Sequence, residues 1–350
     1  MKIGRVNSFL TPLYFFSTDM TILAIETSCD ETAAAVWQND KLLSNVIASQ
    51  EVHQEFGGVV PELASRAHVR LVLPIVRSAL QQADIKKQDL SAIAVTYGPG
   101  LAGALLVGLN FAKGMAIVLD LPMIGINHIE GHIFSNSVLQ EGPEPPFLAL
   151  IISGGHTQLV HVKAWGSYTI LGKTRDDAAG EAFDKVAKML DLGYPGGPVI
   201  DKLAREGNPD YLKFPRGKLK DSELDFSYSG LKTAVLYHLQ SLTATKIEKH
   251  RADIAASFQI AAIEVLVEKS MLAMQQYRID QLALAGGVAC NSLLRGRLQR
   301  ECASSNFKLF YPPAVLCTDN AAMIARAGKH YLENDMVSDL SLGPQPSLSL

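Results

Sequence analysis

Hydrophobic and polar positions along the chain switch between two periods. Short apolar runs at 21–25 and 33–37, split by the polar turn 26–32, predict two strands. Over 61–83, Leu63, Leu71, Val72, Ile75, Val76 and Leu80 recur at helical intervals and predict a helix. Residues 93–96 read as a short buried strand, which Gly98-Pro99-Gly100 ends before a helix over 103–119. A similar series follows: strand 147–152, glycine turn 153–157, returning strand 158–162, helices over 178–190 and 198–205, and a buried strand 281–285 ending in Gly286-Gly287. Two strand–turn–strand units, each followed by helices, predict two related α/β lobes around a cleft, joined by the proline- and acid-rich segment 141–146. Within the helix over 103–119, Ala104, Gly108, Ala112 and Ala116 stand four apart. This small-residue ridge lets another element approach closely, either the protein's own sheet or a partner's helix.

Composition narrows the picture. A chain of 350 residues is comfortable for two domains, and 48% hydrophobic with 19% charged residues describes a globular protein with a large core. The net charge of −3 excludes a molecule that is cationic overall, so any nucleic-acid contact must come from a local patch. The four cysteines form no C-x-x-C pair and read as free thiols in a reducing compartment. The most apolar long run, 101–119, contains Asn110 and Lys113 and reads as a buried helix rather than a membrane span, so no membrane is expected as a partner. Residues 1–19 lack the pattern of a secretory signal. They read as an extension upstream of Met20, with a mitochondrial leader as the alternative; the corresponding compartments are the cytoplasm and the mitochondrial matrix.

The chemistry concentrates in NHIEGH. His128 and His132 are four residues apart, roughly 40° around a helix, so both imidazoles face one way. A carboxylate from another element, Asp319 in CTDN, would complete a two-His-one-Asp set for a divalent ion; Fe, Zn and Mn are all compatible. Three turns carry flexible polar tips after buried strands: 26–32, 153–157 and 285–291. Glycines and hydroxyls there let backbone N–H groups approach an anion, which points to a nucleotide between the lobes. The phosphate-loop pattern G-x-x-x-x-G-K-[ST] does not occur. One of Asp30 and Glu31, both in the first turn, is the catalytic candidate that takes a proton from, or orients, an attacking group.

The blocks ETSCDET, GGVVPELASR, GPGLAGALLVG, NHIEGH, SGGHTQL, DDAAGEAFDK, YPGGP, DFSYSGLKT, AGGVACN and CTDN, running in order from Ile22 to Arg326, resemble the TsaD-type tRNA N6-adenosine threonylcarbamoyltransferases, formerly described as O-sialoglycoprotein endopeptidases. The resemblance implies two ribonuclease-H-like lobes of the actin, sugar-kinase and Hsp70 type around a nucleotide cleft. Residues 1–19 would be a leader, 20–127 the N-terminal lobe, 128–327 the C-terminal lobe with the metal and nucleotide site, and 328–350 a tail. It also implies transfer of the threonylcarbamoyl group from threonylcarbamoyl-AMP to the adenosine 3′ to the anticodon in tRNAs that read codons starting with A, with release of AMP. One divalent ion per subunit, Fe2+ or else Zn or Mn, would sit on His128, His132 and Asp319. Ile151, Ile152, Ser153, Gly154 and Gly155 would line the donor, and Asp184, Gly197, Asp201 and Asn291 would hold its adenosine end. Implied partners are tRNA with a related non-catalytic paralogue and a small ATPase, as in bacteria, or a second copy of the chain, as in mitochondria.

Rival readings leave features unexplained. A zinc peptidase of the H-E-x-x-H type needs its base directly after the first histidine, where this chain has Ile129. Glu130, roughly 200° around the helix from His128, would point away. A small-molecule kinase of the same fold type has no use for the two histidines, and a non-catalytic scaffold has no use for the full ligand set. For tRNA, Lys213, Arg216, Lys218 and Lys220 with Tyr211 and Phe214 suggest a backbone- and base-binding patch; Arg295, Arg297 and Arg300 suggest a second.

Overall fold

The computed structural model describes residues 20–350 apart from 51, 52, 54–57, 140 and 218. The leader reading for residues 1–19 and Lys218 of the basic patch fall outside these described residues.

β1 (Thr21–Glu26), β2 (Glu31–Gln38) and β3 (Lys41–Ser49) form an antiparallel meander, and β4 (Ala92–Gly98) and β5 (Met123–Asn127) extend it in parallel from β1, giving the order β3-β2-β1-β4-β5. The second half repeats this arrangement. β6 (Phe147–Ile152), β7 (Thr157–Ala164) and β8 (Ser167–Lys173) are the meander, and β9 (Gln281–Ala285) and β10 (Lys308–Phe310) the parallel extension, in the order β10-β9-β6-β7-β8. Two lobes built on one plan are what the repeated strand–turn–strand pattern predicts. The third meander strands, β3 and β8, carry mixed burial and no clean alternation, so they emerge only from pairing.

β1 is buried along its whole length because both faces of the first sheet are covered. Side chains alternate between them: Leu23 and Ile25 pack towards α1 (Pro61–Gln82) and α2 (Ala102–Leu119), and Ile22 and Ala24 towards α10 (Ala321–Glu333). β6 is divided in the same way. Leu148, Leu150 and Ile152 join the large core that includes α7 (Ala244–Tyr277), while Phe147, Ala149 and Ile151 face Ile129 and Ile133 of α3 (His128–Phe134). Phe134, at the end of α3, enters the first lobe's core with α10. Thus α3 lies between the two sheets. The remaining helices are α4 (Ala179–Met189), α5 (Gly196–Ala204), α6 (Ser229–Gln240), α8 (Ser292–Ser304) and α9 (Ala314–Cys317).

One expectation changes, and one choice is settled. The partition at 327/328 divides α10, which is a single helix packed on the first sheet: Gly328 stands so near Ala94 that an added Cβ would lie 2.6 Å from the Ala94 Cβ. The chain therefore returns to its first lobe. The segment after α10 is a strap along that lobe, with Ser338 N–H donating to Met123 O (2.8 Å) and Gln345 N–H to Tyr97 O (2.7 Å). The small-residue ridge of α2 faces inward: Ala104, Gly108, Ala112 and Ala116 are all buried, and a Cβ on Gly108 would meet Thr27 Oγ1 at 2.3 Å. The ridge serves the protein's own sheet, and only this face of α2 is buried.

Candidate metal centre

The histidine pair is set by how α3 begins. Asn127 ends β5 and caps the helix, its Oδ1 accepting from Ile129 N (2.9 Å) and Glu130 N (3.3 Å). His128 is therefore the first helical residue, and His132 stands one turn on along the same face. Asp319 arrives from the turn between α9 and α10, where Asn320 caps α10 by accepting from Met323 N (3.1 Å). His132 Nε2 lies 3.1 Å, and His128 Nε2 3.5 Å, from the same Asp319 Oδ1. Atoms sharing one ion at bonds of about 2.1 Å stand about 3.0–3.4 Å apart, so the three residues fit a single divalent ion. The expected ligands are brought together from positions 187 residues apart.

The field is that of a cation site. Burial opposes the charged form of His128, but Asp319 and Glu26 outweigh it and raise the ring's pKa to about 9. Burial also works against ionised Asp319, yet His128 and His132 hold its carboxyl well below the usual range. Glu31 is pushed up to about 10, first by burial and then by Asp319 and Asp30. His156 is held down to about 4 by burial and by the neighbouring His128 and His132, so it is neutral at pH 7. Asp30, Glu31 and His156 thus join the ligand set in one acidic pocket.

Glu26 was not singled out by spacing or motif position, and it belongs here. It is fully buried at the end of β1. Its Oε1 accepts from Ser28 N–H (2.5 Å), its Oε2 from Thr96 Oγ1 (2.6 Å), and Oε2 also lies 3.1 Å from His128 Nδ1. The available signal was an acid closing an otherwise apolar strand.

The predicted donor residues separate into two groups. Ile151 and Ile152 have fully buried side chains on opposite faces of β6, so only their backbone reaches the strand end. Ser153, Gly154 and Gly155 form the exposed turn. It is closed by His156 N–H donating to Ser153 Oγ (3.1 Å) and by Gly180 N–H of α4 donating to Ser153 O (3.2 Å). A Cβ on Gly154 or Gly155 would meet nothing, so space lies directly over the turn. The third turn is packed against it: Gly286 has φ +88°, and a Cβ there would strike Ile152 O at 2.4 Å.

Asp184, Gly197, Asp201 and Asn291 gather where α5 and α8 start. Asp184 Oδ1 accepts from Gly196 N–H (2.7 Å), and burial raises its pKa despite that bond. Asp201 accepts from Ser292 Oγ (2.9 Å) and pairs with Arg205 (2.9 Å), while Asn291 caps α8 through Leu294 N (3.0 Å). Space is open over Gly197.

A family model for tRNA N6-adenosine threonylcarbamoyltransferase, TsaD, matches residues 41–326. The chain belongs to the TsaD family. It is 54% identical over 331 residues to the tRNA N6-adenosine threonylcarbamoyltransferase of Clostridium perfringens (strain ATCC 13124), covering 94% of this chain and 98% of that protein. It is 51% identical over 333 residues to that of Clostridium botulinum (strain 657), covering 95% and 98%. Among solved structures, full-length HypF in its phosphate- and nucleotide-bound form superposes with a TM-score of 0.61 at 13% identity, over 91% of this chain and 47% of that one. HypF of T. kodakarensis gives 0.61 at 16%, over 91% and 48%. At such identity these two structures bear on the fold alone, and they share its two-lobed α/β plan.

Two further residue sets are explained within this TsaD member. Glu130, between the histidines in sequence, faces away from them: its Oε1 accepts from Tyr168 Oη (2.6 Å) and its carboxylate from Tyr331 Oη (2.8 and 2.9 Å). A peptidase base in the H-E-x-x-H manner is therefore missing. Part of the basic patches is committed to internal contacts. Arg216 pairs with Glu264 (2.6 Å) and Arg297 with the same carboxylate (3.1 Å), Phe214 is buried, Tyr211 stacks on His250 at 4.7 Å, and Arg295 lies over the Tyr311 ring at 4.4 Å. Arg216 and Arg297 thus act as core-edge ion pairs, which removes them as free phosphate contacts.

Proposed function

We propose that this TsaD member transfers the threonylcarbamoyl group of threonylcarbamoyl-AMP to N6 of the adenosine 3′ to the anticodon, in tRNAs that read codons beginning with A. The observation that carries this reading is the convergence of His128, His132 and Asp319 beside the open 153–156 turn. The adenosine amine attacks the carbamoyl carbon, the bond from that carbon to the AMP phosphate oxygen breaks, and the amine loses one proton as AMP leaves.

The histidines and Asp319 would hold a divalent ion, Fe2+ or else Zn2+ or Mn2+, and such an ion supplies Lewis-acid polarisation of the carbonyl or phosphate. Backbone N–H groups of Gly154 and Gly155 are suited to stabilise oxygen charge as the amine attacks. Asp184, Asp201 and Asn291, with the open space at Gly197, suit the adenosine end of the donor. Near Asp319, Asp30 is our candidate for taking the amine's proton and Glu31, which burial keeps protonated, for orienting the amine.

For a protein partner we favour the related non-catalytic paralogue, with a small ATPase, in a cytoplasmic setting. Val69 and Leu73 on α1 and Leu106, Ile117 and Val118 on α2 are exposed apolar residues that suit a helical partner. The deciding experiment supplies threonylcarbamoyl-AMP and a tRNA transcript with and without chelator, beside a peptide-release assay. Modified tRNA plus AMP, lost on chelation, is the expected result. Peptide release without acyl transfer, or full transfer after the ion is stripped, overturns the reading.

A further inference from the structure

We propose that Glu26 is the positioning residue of the metal centre: its carboxylate holds the proton of His128 on Nδ1, so that the Nε2 lone pair faces Asp319 and the ion. This role rests on reading His128, His132 and Asp319 as an ion site. A neutral imidazole can bind a metal through either nitrogen, and the partner of the other nitrogen decides which. Among the described residues only one of the two rings has such a partner. His128 Nδ1 lies 3.1 Å from Glu26 Oε2 and 3.1 Å from Ser28 Oγ, while His132 Nδ1 is buried and makes no hydrogen bond among the described residues.

Of the two oxygens near His128 Nδ1, the carboxylate is the stronger acceptor. It is also well fixed. Glu26 pairs with Ala33 inside the sheet, and both its oxygens already accept from Ser28 N–H and Thr96 Oγ1–H. Those donors leave a carboxylate as the only group of this shape with acceptors towards all its neighbours. An amide in its place must turn its NH2 towards Ser28 N–H, or towards Thr96 and His128. The second choice would push the His128 proton to Nε2, where the ion belongs. The bland account makes Glu26 a buried acid that only ties the β1 turn to β4. That account predicts lost stability with metal affinity unchanged.

The test measures zinc and cobalt affinity of the full chain by competition with a chromophoric chelator, for the parent, Glu26→Gln and Ser28→Ala, with melting temperatures recorded without metal. Loss of such an orienting group typically weakens metal binding about 10–100-fold, and that range is expected for Glu26→Gln, together with an altered cobalt absorption spectrum. Ser28→Ala should change affinity by less than about threefold. Affinity in Glu26→Gln equal to the parent's, or a larger loss in Ser28→Ala, overturns the role. Should Glu26→Gln fail to fold, the His128 ring nitrogens of the zinc-loaded parent decide by NMR. A protonated, exchange-protected Nδ1 with metal-bound Nε2 supports the role, and coordination through Nδ1 overturns it. A parent protein that takes up neither ion overturns the metal reading and this role together, so the two failures are distinguishable.

Discussion

Glu130 sits between the histidines in sequence and on the other side of the helix in space. Its carboxylate is buried and is satisfied by Tyr168 of the second lobe and Tyr331 of α10 on the first, so one acid ties the lobes together behind the metal face. Tyr331→Phe removes a hydrogen bond to a buried charged acceptor and should lower stability by about 1.5–3 kcal/mol in denaturant unfolding, with metal uptake retained. Glu31 gives a pH-dependent prediction. Its pKa is raised from 4.5 to about 10 in the fold, so above about pH 4.5 the unfolded chain loses a proton that the native protein keeps. Stability is therefore drained as pH rises through that window, and Glu31→Gln removes the drain. In chelator, the melting temperature of Glu31→Gln relative to the parent should be near zero difference at pH 4 and increasingly positive towards pH 8. A difference independent of pH would show that Glu31 is not protonated in the metal-free site.

At the scale of elements, the site depends on how closely three of them approach. α2 lies against the β1 turn through Gly108 and Thr27, whose Oγ1 donates to Ala104 O (3.0 Å); α10 lies on β4 through Gly328 and Ala94; and α3 is held between the sheets by Ile129 and Ile133 on the second lobe's side and Phe134 on the first's. Gly328→Ala would force backbone movement, because the neighbour it meets is another Cβ rather than the flexible end of a side chain. A cost of about 1–3 kcal/mol is expected. Because Asp319 immediately precedes α10, the same variant should weaken zinc binding even though residue 328 touches no ligand. Wild-type affinity in a destabilised Gly328→Ala protein would uncouple helix packing from ligand placement.

For the whole molecule, an ion held by His128, His132 and Asp319 would link α3 to the turn before α10 and so act on the native state. Zinc at a hundred times its dissociation constant should raise the unfolding free energy by about 2.7 kcal/mol, and His132→Ala should abolish that gain. Val69 and Leu73 on α1 are exposed and are not among the metal-ligating residues. Replacing Val69 and Leu73 by Asp should prevent association with the proposed paralogue in analytical ultracentrifugation while leaving zinc affinity unchanged. Association that survives the double replacement would place the partner elsewhere.

The sequence by itself determined the elements whose periodicity is strong and the ligands whose spacing is local. β6 and β9 lie where the apolar runs predict them, α1 and α2 agree within a residue at each end, and His128 with His132 needs only the pitch of a helix. Motif order also carried Asp319, which no local spacing could pair with the histidines. What the tertiary structure decided is everything that depends on which neighbour a side chain meets. Glu26 became part of the centre because β1 and β4 end where α3 begins. The α2 ridge turned inward because a sheet was there to receive it, Arg216 and Arg297 were spent on Glu264, and α10 went back to the first lobe. A linear pattern states how polar a position is, but hydrogen-bond partners and buried faces are properties of pairs far apart in the chain, and only folding brings those pairs together.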